Sequence, residues 1–367
     1  GPGAVKDLVD IFNCKNLKKG LLVADKGVTS AGLSDRVLAL FKAGNLEMTL
    51  FDDVKSNPTD DNVYNGTRVY KESGSEFIVG LGGGSPLDVA KAIKVMATHP
   101  APLEQYDDMK DGWKRIINVM PPFFAIPTTA GTGSEVGRSS VITCKSTNKK
   151  TIIFSPHMMP DIAVLDAEMT VTLPAGLTAA TGVDAFVHNL EAYIIDSFHP
   201  MADGIAREAM GRIFKNLPIA VKDGQNIAAR GEMLMASAMG ATAFQKGLGV
   251  NHAIAHALGV YYDTHHGLAN AAILLEVMRY NLANSGVESK LAELGAYLGT
   301  EKDADDFLDL LGEWLHAIGM PTDLKSLPIE PGKIQLIEDY ALEDPCCPLN
   351  PRPVERGDII KILQRLI

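Results

Sequence analysis

The feature that most constrains this chain is a change of hydrophobic period near TLPAG at residues 172 to 176. Upstream, short apolar runs at Gly20 to Ala24, Phe77 to Leu81, Phe123 to Ile126, Val141 to Thr143 and Ile162 to Leu165 alternate with helical spacing. That alternation predicts a parallel layer of strands with crossover helices. Downstream, helical spacing dominates over Leu177 to Tyr193, Ala202 to Asn216, Ala228 to Phe244, Asn251 to Val260, Leu291 to Tyr297, Phe307 to Ile318 and Asp358 to Ile367. Two separate cores are expected, and 367 residues are enough to bury both. No internal repeat or low-complexity stretch interrupts the pattern.

The upstream part carries EFIVGLGGGSPLDVAKAIKVMA. Phe77 to Leu81 reads as a buried strand, Gly82, Gly83 and Gly84 as the turn after it, and Pro86 as a first-turn residue of a helix continued by Val89, Ala90, Ile93 and Met96. Strand, glycine turn and helix start together form an anion site, because bare N–H groups can approach a pyrophosphate and the helix dipole favours negative charge. The wording is GGGS rather than GxGxxG, so a plain tight turn remains the alternative. FFAIPTTAGTGSEVGRSSVIT repeats the grammar, and its Thr128, Thr129 and Thr132 have hydroxyls for phosphate or ribose, or serve as ordinary turn residues. Asp25 closes the early strand LLVAD; a carboxylate there can accept both adenosine ribose hydroxyls and repel a 2′-phosphate, favouring NAD over NADP.

The downstream part carries Asp184 and His188 in TGVDAFVHNLEAY, then His252 and His266 in NHAIAHALGVYYDTHHG. Asp184 and His188 are four apart, so in a helix they project from one face a turn apart. One carboxylate and three imidazoles suit a borderline divalent ion, Fe²⁺ or Zn²⁺. Calcium or magnesium would want more oxygens, and structural zinc usually brings thiolates. Six of the nine histidines, at 188, 199, 252, 256, 265 and 266, fall in this one stretch. Either piece alone would read as an ordinary packing or capping histidine. HAIAH lacks the glutamate of HExxH, which disfavours a metalloprotease.

Taken together, the predicted fold is an α/β Rossmann-like dinucleotide-binding domain over 1–171 followed by an all-α metal- and substrate-binding domain over 172–367. At this point the chain resembles the iron-dependent (group III) alcohol dehydrogenases, and within them the lactaldehyde reductase and propanediol dehydrogenase branch. The resemblance runs over nearly the whole length, through LLVADKG, GGGSPLDVAKAI, IPTTAGTGSEV, TAATGVDAFVHNLEAY, the run His252 to Leu275 and NPRP at 350 to 353. It implies that Asp184, His188, His252 and His266 bind the metal and that His256 sits beside them. It also implies that Asp25, Gly82, Gly83, Gly84, Ser85, Asp88, Thr128, Thr129, Thr132 and Lys150 contact NAD(H), with Lys150 near the nicotinamide ribose. His265 stands where relatives usually have proline, so the ligand position His266 is preceded by a second potential ligand that competes for the ion, and Asp263 stands where asparagine is frequent. The chain opens at GPGAVKDLVD without an initiating Met and without the first strand or hairpin of the family, which suggests a truncated or processed start or a tag remnant.

The expected chemistry is reversible reduction of short aldehydes to alcohols or diols by NADH, the ion polarising the oxygen and the two domains meeting at a cleft. His256, one turn from His252, either relays a proton or only orients a ligand. A glycerol dehydrogenase, a dehydroquinate synthase-like enzyme, or a non-catalytic metal- or nucleotide-binding protein are the alternatives. The formal charge of −11 argues against nucleic acid or an anionic membrane as partner. No apolar stretch approaches the ~18 to 20 residues of a membrane span. Four cysteines do not make a disulfide framework, so a reducing cytoplasm is the default location; a homo-oligomer, a dimer or higher, is expected as well.

Overall fold

A computed structural model of the protein describes residues 1–146, 149–300, 303–327 and 329–367. Two compact units appear: Gly1–Thr129 with Gly133–Thr172, and Ala130–Thr132 with Leu173–Ile367. Residues 130–132 thus group with the second unit although they precede the change of period.

The first unit has strands β1 Lys19–Asp25, β2 Glu47–Val54, β3 Phe77–Gly82, β4 Phe123–Pro127, β5 Ser139–Cys144, β6 Lys149–Phe154 and β7 Ile162–Ala163. Its helices are α1 Asp7–Cys14, α2 Lys26–Ser30, α3 Leu33–Ala43, α4 Asp60–Glu72 and α5 Gly84–Met96. Five strands form a parallel sheet in the order β2-β1-β3-β4-β7. Alternate side chains of these strands enter opposite layers, as the pleat requires. Leu21, Val23 and Ile78 pack with Val63 of α4 and Val89 and Ile93 of α5. Leu22, Phe77 and Phe124 pack with Phe12 of α1 and Val37 and Phe41 of α3. In that second layer Phe12 contacts Phe41, Phe77 and Phe124 at ring-centroid separations of 5.4, 4.5 and 4.7 Å, pairs that add about 0.5 to 1.5 kcal/mol each beyond area burial.

Burial on both faces explains why β1, β3 and β4 read so clearly as continuous apolar runs. Val141 to Thr143 does not join this layer as its sequence suggests. It lies in β5, which pairs antiparallel with β6 in a separate two-stranded sheet, and its one-sided burial, with Val141 exposed and Ile142 buried, is that of a hairpin. The strands β2 and β6 are not among the apolar runs. In β2 (EMTLFDDV) acidic and half-buried positions blur the signal at a sheet edge.

The described residues of the second unit form helices joined by loops, with no strand among them: α6 Ala175–Ile194, α7 Pro200–Lys222, α8 Ile227–Ala243, α9 Val250–Tyr262, α10 His266–Asn281, α11 Ser285–Leu298, α12 Ala304–Ala317, α13 Ile334–Glu343 and α14 Asp358–Gln364. Helix α6 is buried almost continuously from Thr178 to Ile194 and shares one core with the helices around it. Helix α10 is absent from the periodic stretches for a related reason. Its residues Ala269 to Leu275 are buried on every side, which leaves no polar face to mark the period. It also crosses α6 backbone to backbone, since a β-carbon at Gly267 would lie 2.0 Å from the Ala180 carbonyl oxygen. No helix among the described residues is long and apolar enough to cross a membrane.

Candidate cofactor and metal sites

In the first unit β1, β3 and β4 run side by side, and their carboxyl ends carry Asp25, Gly82 and Pro127. The chain leaves β1 for β2 on one side and returns to β3 on the other, so this edge is a topological switch point, where open α/β sheets bind ligands. Gly82 has φ +152°, and a β-carbon there would meet the Pro86 ring at 2.5 Å, so glycine is required for the chain to turn into α5. Gly83 caps α5 without a side chain, which leaves the first-turn N–H groups to solvent or a ligand.

Thr128 N–H donates to the Gly82 carbonyl at 2.9 Å, and the Thr129 hydroxyl oxygen lies 3.1 Å from where a Gly83 β-carbon would be. The Ser85 hydroxyl donates to the Ser56 carbonyl at 2.6 Å. Asp25 caps α2, its Oδ1 accepting from Val28 N–H at 2.8 Å, so one carboxylate oxygen is already engaged. Asp25, Gly82, Gly83, Gly84, Ser85, Thr128 and Thr129 therefore gather at one edge. Asp88 is turned to the loop and β5, accepting from the Ser134 hydroxyl at 2.7 Å and Val141 N–H at 2.9 Å. Lys150 lies on β6, opposite Thr143 in the hairpin, and Thr132 belongs to the second unit.

In the second unit α6 presents Asp184 and His188, α9 His252 and His256, and α10 His266. One ligand atom each from Asp184, His252 and His266 falls in a group within 4.8 Å of one another. Asp184 Oδ1 lies 3.7 Å from His252 Nε2 and 3.5 Å from His266 Nε2. His188 stands just outside this tight group, its ring stacked on that of His252 at 4.6 Å. Its Nδ1 is 3.3 Å from the Gly131 carbonyl, and a proton donated there leaves Nε2 as the ligand atom. His265 is only the residue that precedes the first turn of α10 and is not part of the group.

Residues outside the predicted ligand set hold these side chains. Glu191, on α6, accepts from His252 Nδ1 at 2.5 Å and from Asn251 N–H at 2.8 Å. Asn270 donates to Asp184 Oδ1 at 2.8 Å and lies 3.2 Å from His266 Nε2, while Asn251 donates to its Oδ1 at 2.9 Å. Asn350 of the NPRP segment accepts from Val250 N–H at 3.2 Å, which satisfies the start of α9. His256 Nδ1 is 2.8 Å from Asp344 Oδ2, and its ring stacks on His266 at 5.2 Å. Glu191 sits three residues after His188 and one α-helical turn along the same face; its position in LEAY was the one signal available for it.

The electrostatics suit a cation. Burial by itself would raise the Asp184 carboxyl, but His188, His266 and His252 outweigh it and hold the group well below its usual range. Burial pushes His188 down to about 4 and His266 well below its ordinary value, so both imidazoles keep a lone pair for an ion. Burial also disfavours charge on His252, yet the Asp184 and Glu191 carboxylates raise it to about 9. His252 Nε2 is nevertheless buried without a hydrogen-bond partner. An unsatisfied buried nitrogen costs about 1 to 3 kcal/mol, and a divalent ion among Asp184, His188, His252 and His266 would satisfy it with O/N donors of the borderline kind. The residues present fit such an ion.

Comparison with known proteins assigns both parts of the chain to one family. Residues 1–167 match the family model described as iron-containing alcohol dehydrogenase, and residues 178–367 match the C-terminal model of the Fe-containing alcohol dehydrogenase family. The chain is 37% identical over 377 residues to 1,3-propanediol dehydrogenase of Citrobacter freundii, covering 100% of this chain and 95% of the relative. It is 36% identical over 370 residues to 4-hydroxybutyrate dehydrogenase of Cupriavidus necator, covering 99% and 96%. A crystal structure of 1,3-propanediol oxidoreductase superposes with a TM-score of 0.94 at 36% identity, covering 100% of this chain and 97% of that one. With both halves matched in order, the chain belongs to the iron-containing alcohol dehydrogenase family.

Proposed function

We propose that Asp184, His188, His252 and His266 hold the catalytic ion of this NAD(H)-linked alcohol dehydrogenase and aldehyde reductase, and that Asp25, Gly82, Gly83, Gly84, Ser85, Thr128 and Thr129 hold the dinucleotide. Asp88, Thr132 and Lys150 complete the cofactor set in this reading. The observation that carries it is the buried His252 Nε2, without a hydrogen-bond partner and 3.7 Å from Asp184 Oδ1. When bound, the ion supplies Lewis acidity towards the substrate oxygen and the dinucleotide supplies or accepts hydride.

The protein's own part is positional and electrostatic. Glu191 and the Gly131 carbonyl set the tautomers of His252 and His188. Gly82 and Gly83 let the backbone approach a pyrophosphate, and Asp25 offers its remaining oxygen to a ribose hydroxyl. His256, held on Asp344, moves the proton that an alcohol releases or an aldehyde takes up. The names of the two relatives describe short chains ending in a hydroxyl, and short alcohols, diols and aldehydes are the substrate class taken here. Iron is the expected ion and zinc the second that the donor set accepts. Four free thiols suit a reducing cytoplasm, where a homo-oligomer is expected.

Oxidation of NADH by a short aldehyde tests this reading after chelation and after addition of Fe²⁺ or Zn²⁺. Turnover restored by the ion and absent without it is expected. Turnover indifferent to the ion would overturn the metal assignment. Loss of rate with retained metal in both His256→Ala and Asp344→Asn is the expected mark of the relay.

A further inference from the structure

Lys91 lies two turns into α5 with its side chain wholly buried. Its ammonium donates to the Ser134 hydroxyl at 2.7 Å and to the Ser139 carbonyl at 2.9 Å, and it stands 3.9 Å from Asp88 Oδ1. The Ser134 hydroxyl in turn donates to Asp88 Oδ1 at 2.7 Å. The opposite carboxylate oxygen of Asp88 accepts from Val141 N–H at 2.9 Å, and its main-chain carbonyl accepts the Ser140 hydroxyl at 2.7 Å. Glu135, also buried, contributes a second acidic group beside Lys91. A buried lysine is costly unless paired and hydrogen-bonded, and here one cation joins a helix to a loop and a strand in a single network.

The position of that network is informative. After β4 the chain is bonded to the end of β3, Thr128 N–H donating to the Gly82 carbonyl, and is then tied to α5 at Ser134. Thr129 follows the first of these anchors, and its hydroxyl oxygen lies 3.1 Å from where a Gly83 β-carbon would be. We propose that Lys91 is a positioning residue for the dinucleotide: by fastening Ser134 and Ser139 to α5 it fixes Thr128 and Thr129 against the Gly82–Gly83 turn. An apolar side chain of similar length would fill the space but remove the donor to the Ser134 hydroxyl and the Ser139 carbonyl, leaving Ser134 only its bond to Asp88 and leaving the Asp88 carboxylate without its neighbouring cation. The inference rests on the cofactor reading under Proposed function.

Fluorescence titration with NADH, together with steady-state kinetics and metal analysis, tests it in Lys91→Met, Ser134→Ala and the wild type. In Lys91→Met the NADH Kd is expected to rise about 10-fold or more, since small misplacements of binding groups are expensive. Ser134→Ala should move in the same direction by less, and in both variants kcat at saturating NADH and metal content should stay near wild type. Unchanged Kd in both variants, or a loss of kcat with unchanged Kd, overturns the assignment. Should Lys91→Met not fold, Ser134→Ala removes one hydroxyl and no charge and decides by the same criterion. Wild-type protein that binds no NADH would instead overturn the cofactor reading itself.

Discussion

Glu191 Oε2 lies 2.5 Å from His252 Nδ1, and both side chains are only 1% exposed. The carboxylate can only accept, so Nδ1 carries the proton and Nε2 is the atom offered towards Asp184. Replacing Glu191 with Gln keeps the size and removes the charge. Metal affinity is expected to fall by roughly 10- to 100-fold, with activity recovered at high metal concentration. Metal titration of the chelated protein measures this, and an unchanged affinity would reduce Glu191 to a packing residue.

Two adjacent imidazoles compete for one role in the sequence, and the structure separates them. His266 joins Asp184 and His252, whereas His265 only precedes the first turn of α10. His265→Ala should therefore retain stoichiometric metal, and His266→Ala should lose metal and activity together while still binding NADH. Metal content of the two purified variants decides, and the reverse pattern would exchange the assignments.

Asp25 caps α2 and, in the proposed reading, meets the adenosine ribose, and a careful substitution parts the two. Its Oδ1 caps α2 through Val28 N–H, so Asp25→Ala would confound cofactor effects with a loss of about 1 kcal/mol of capping. Asp25→Asn keeps the cap and deletes the charge. The ratio of kcat/KM for NADH over NADPH should fall about 10-fold or more, because charge-assisted hydrogen bonds contribute roughly 1.5 to 3 kcal/mol. A constant ratio would mean that preference is set elsewhere.

Burial pushes the Glu135 carboxyl up to about 7 from 4.5, against the pull of its own backbone N–H and of Lys91. An acid raised on folding holds its proton more tightly in the native state. Its stabilising contribution is complete below 4.5 and is lost as pH rises through about 7. Glu135→Gln, neutral at every pH, should gain on the wild type by roughly 1 to 3 kcal/mol between about pH 5 and about pH 8. Paired Tm measurements across that range report the change, and a pH-independent difference would show that Glu135 ionises normally.

Much was legible in the chain by itself, and the reason is locality. The spacing of Asp184 and His188 lies within one helical turn, and the GGGS turn lies between a strand and a helix start adjacent in sequence. The two-core plan follows from a change of period that needs no distant partner. Tertiary structure decided the rest. Glu191 meets His252 across 61 residues and Asp344 meets His256 across 88, pairings that only helix packing brings about. Helix α10, buried on all sides, lacks the polar contrast that periodicity requires, and so the placement of His266 waited on the crossing of Gly267 over Ala180. Val141 to Thr143 had the composition of a strand, but composition does not name the partner strand, and hydrogen bonding to β6 took it out of the parallel sheet. Nothing in the local sequence marks Lys91 as buried, and its partners come from β5 and the loop before it. Burial, which sets the cost of an unpaired charge, is a property of the packed chain.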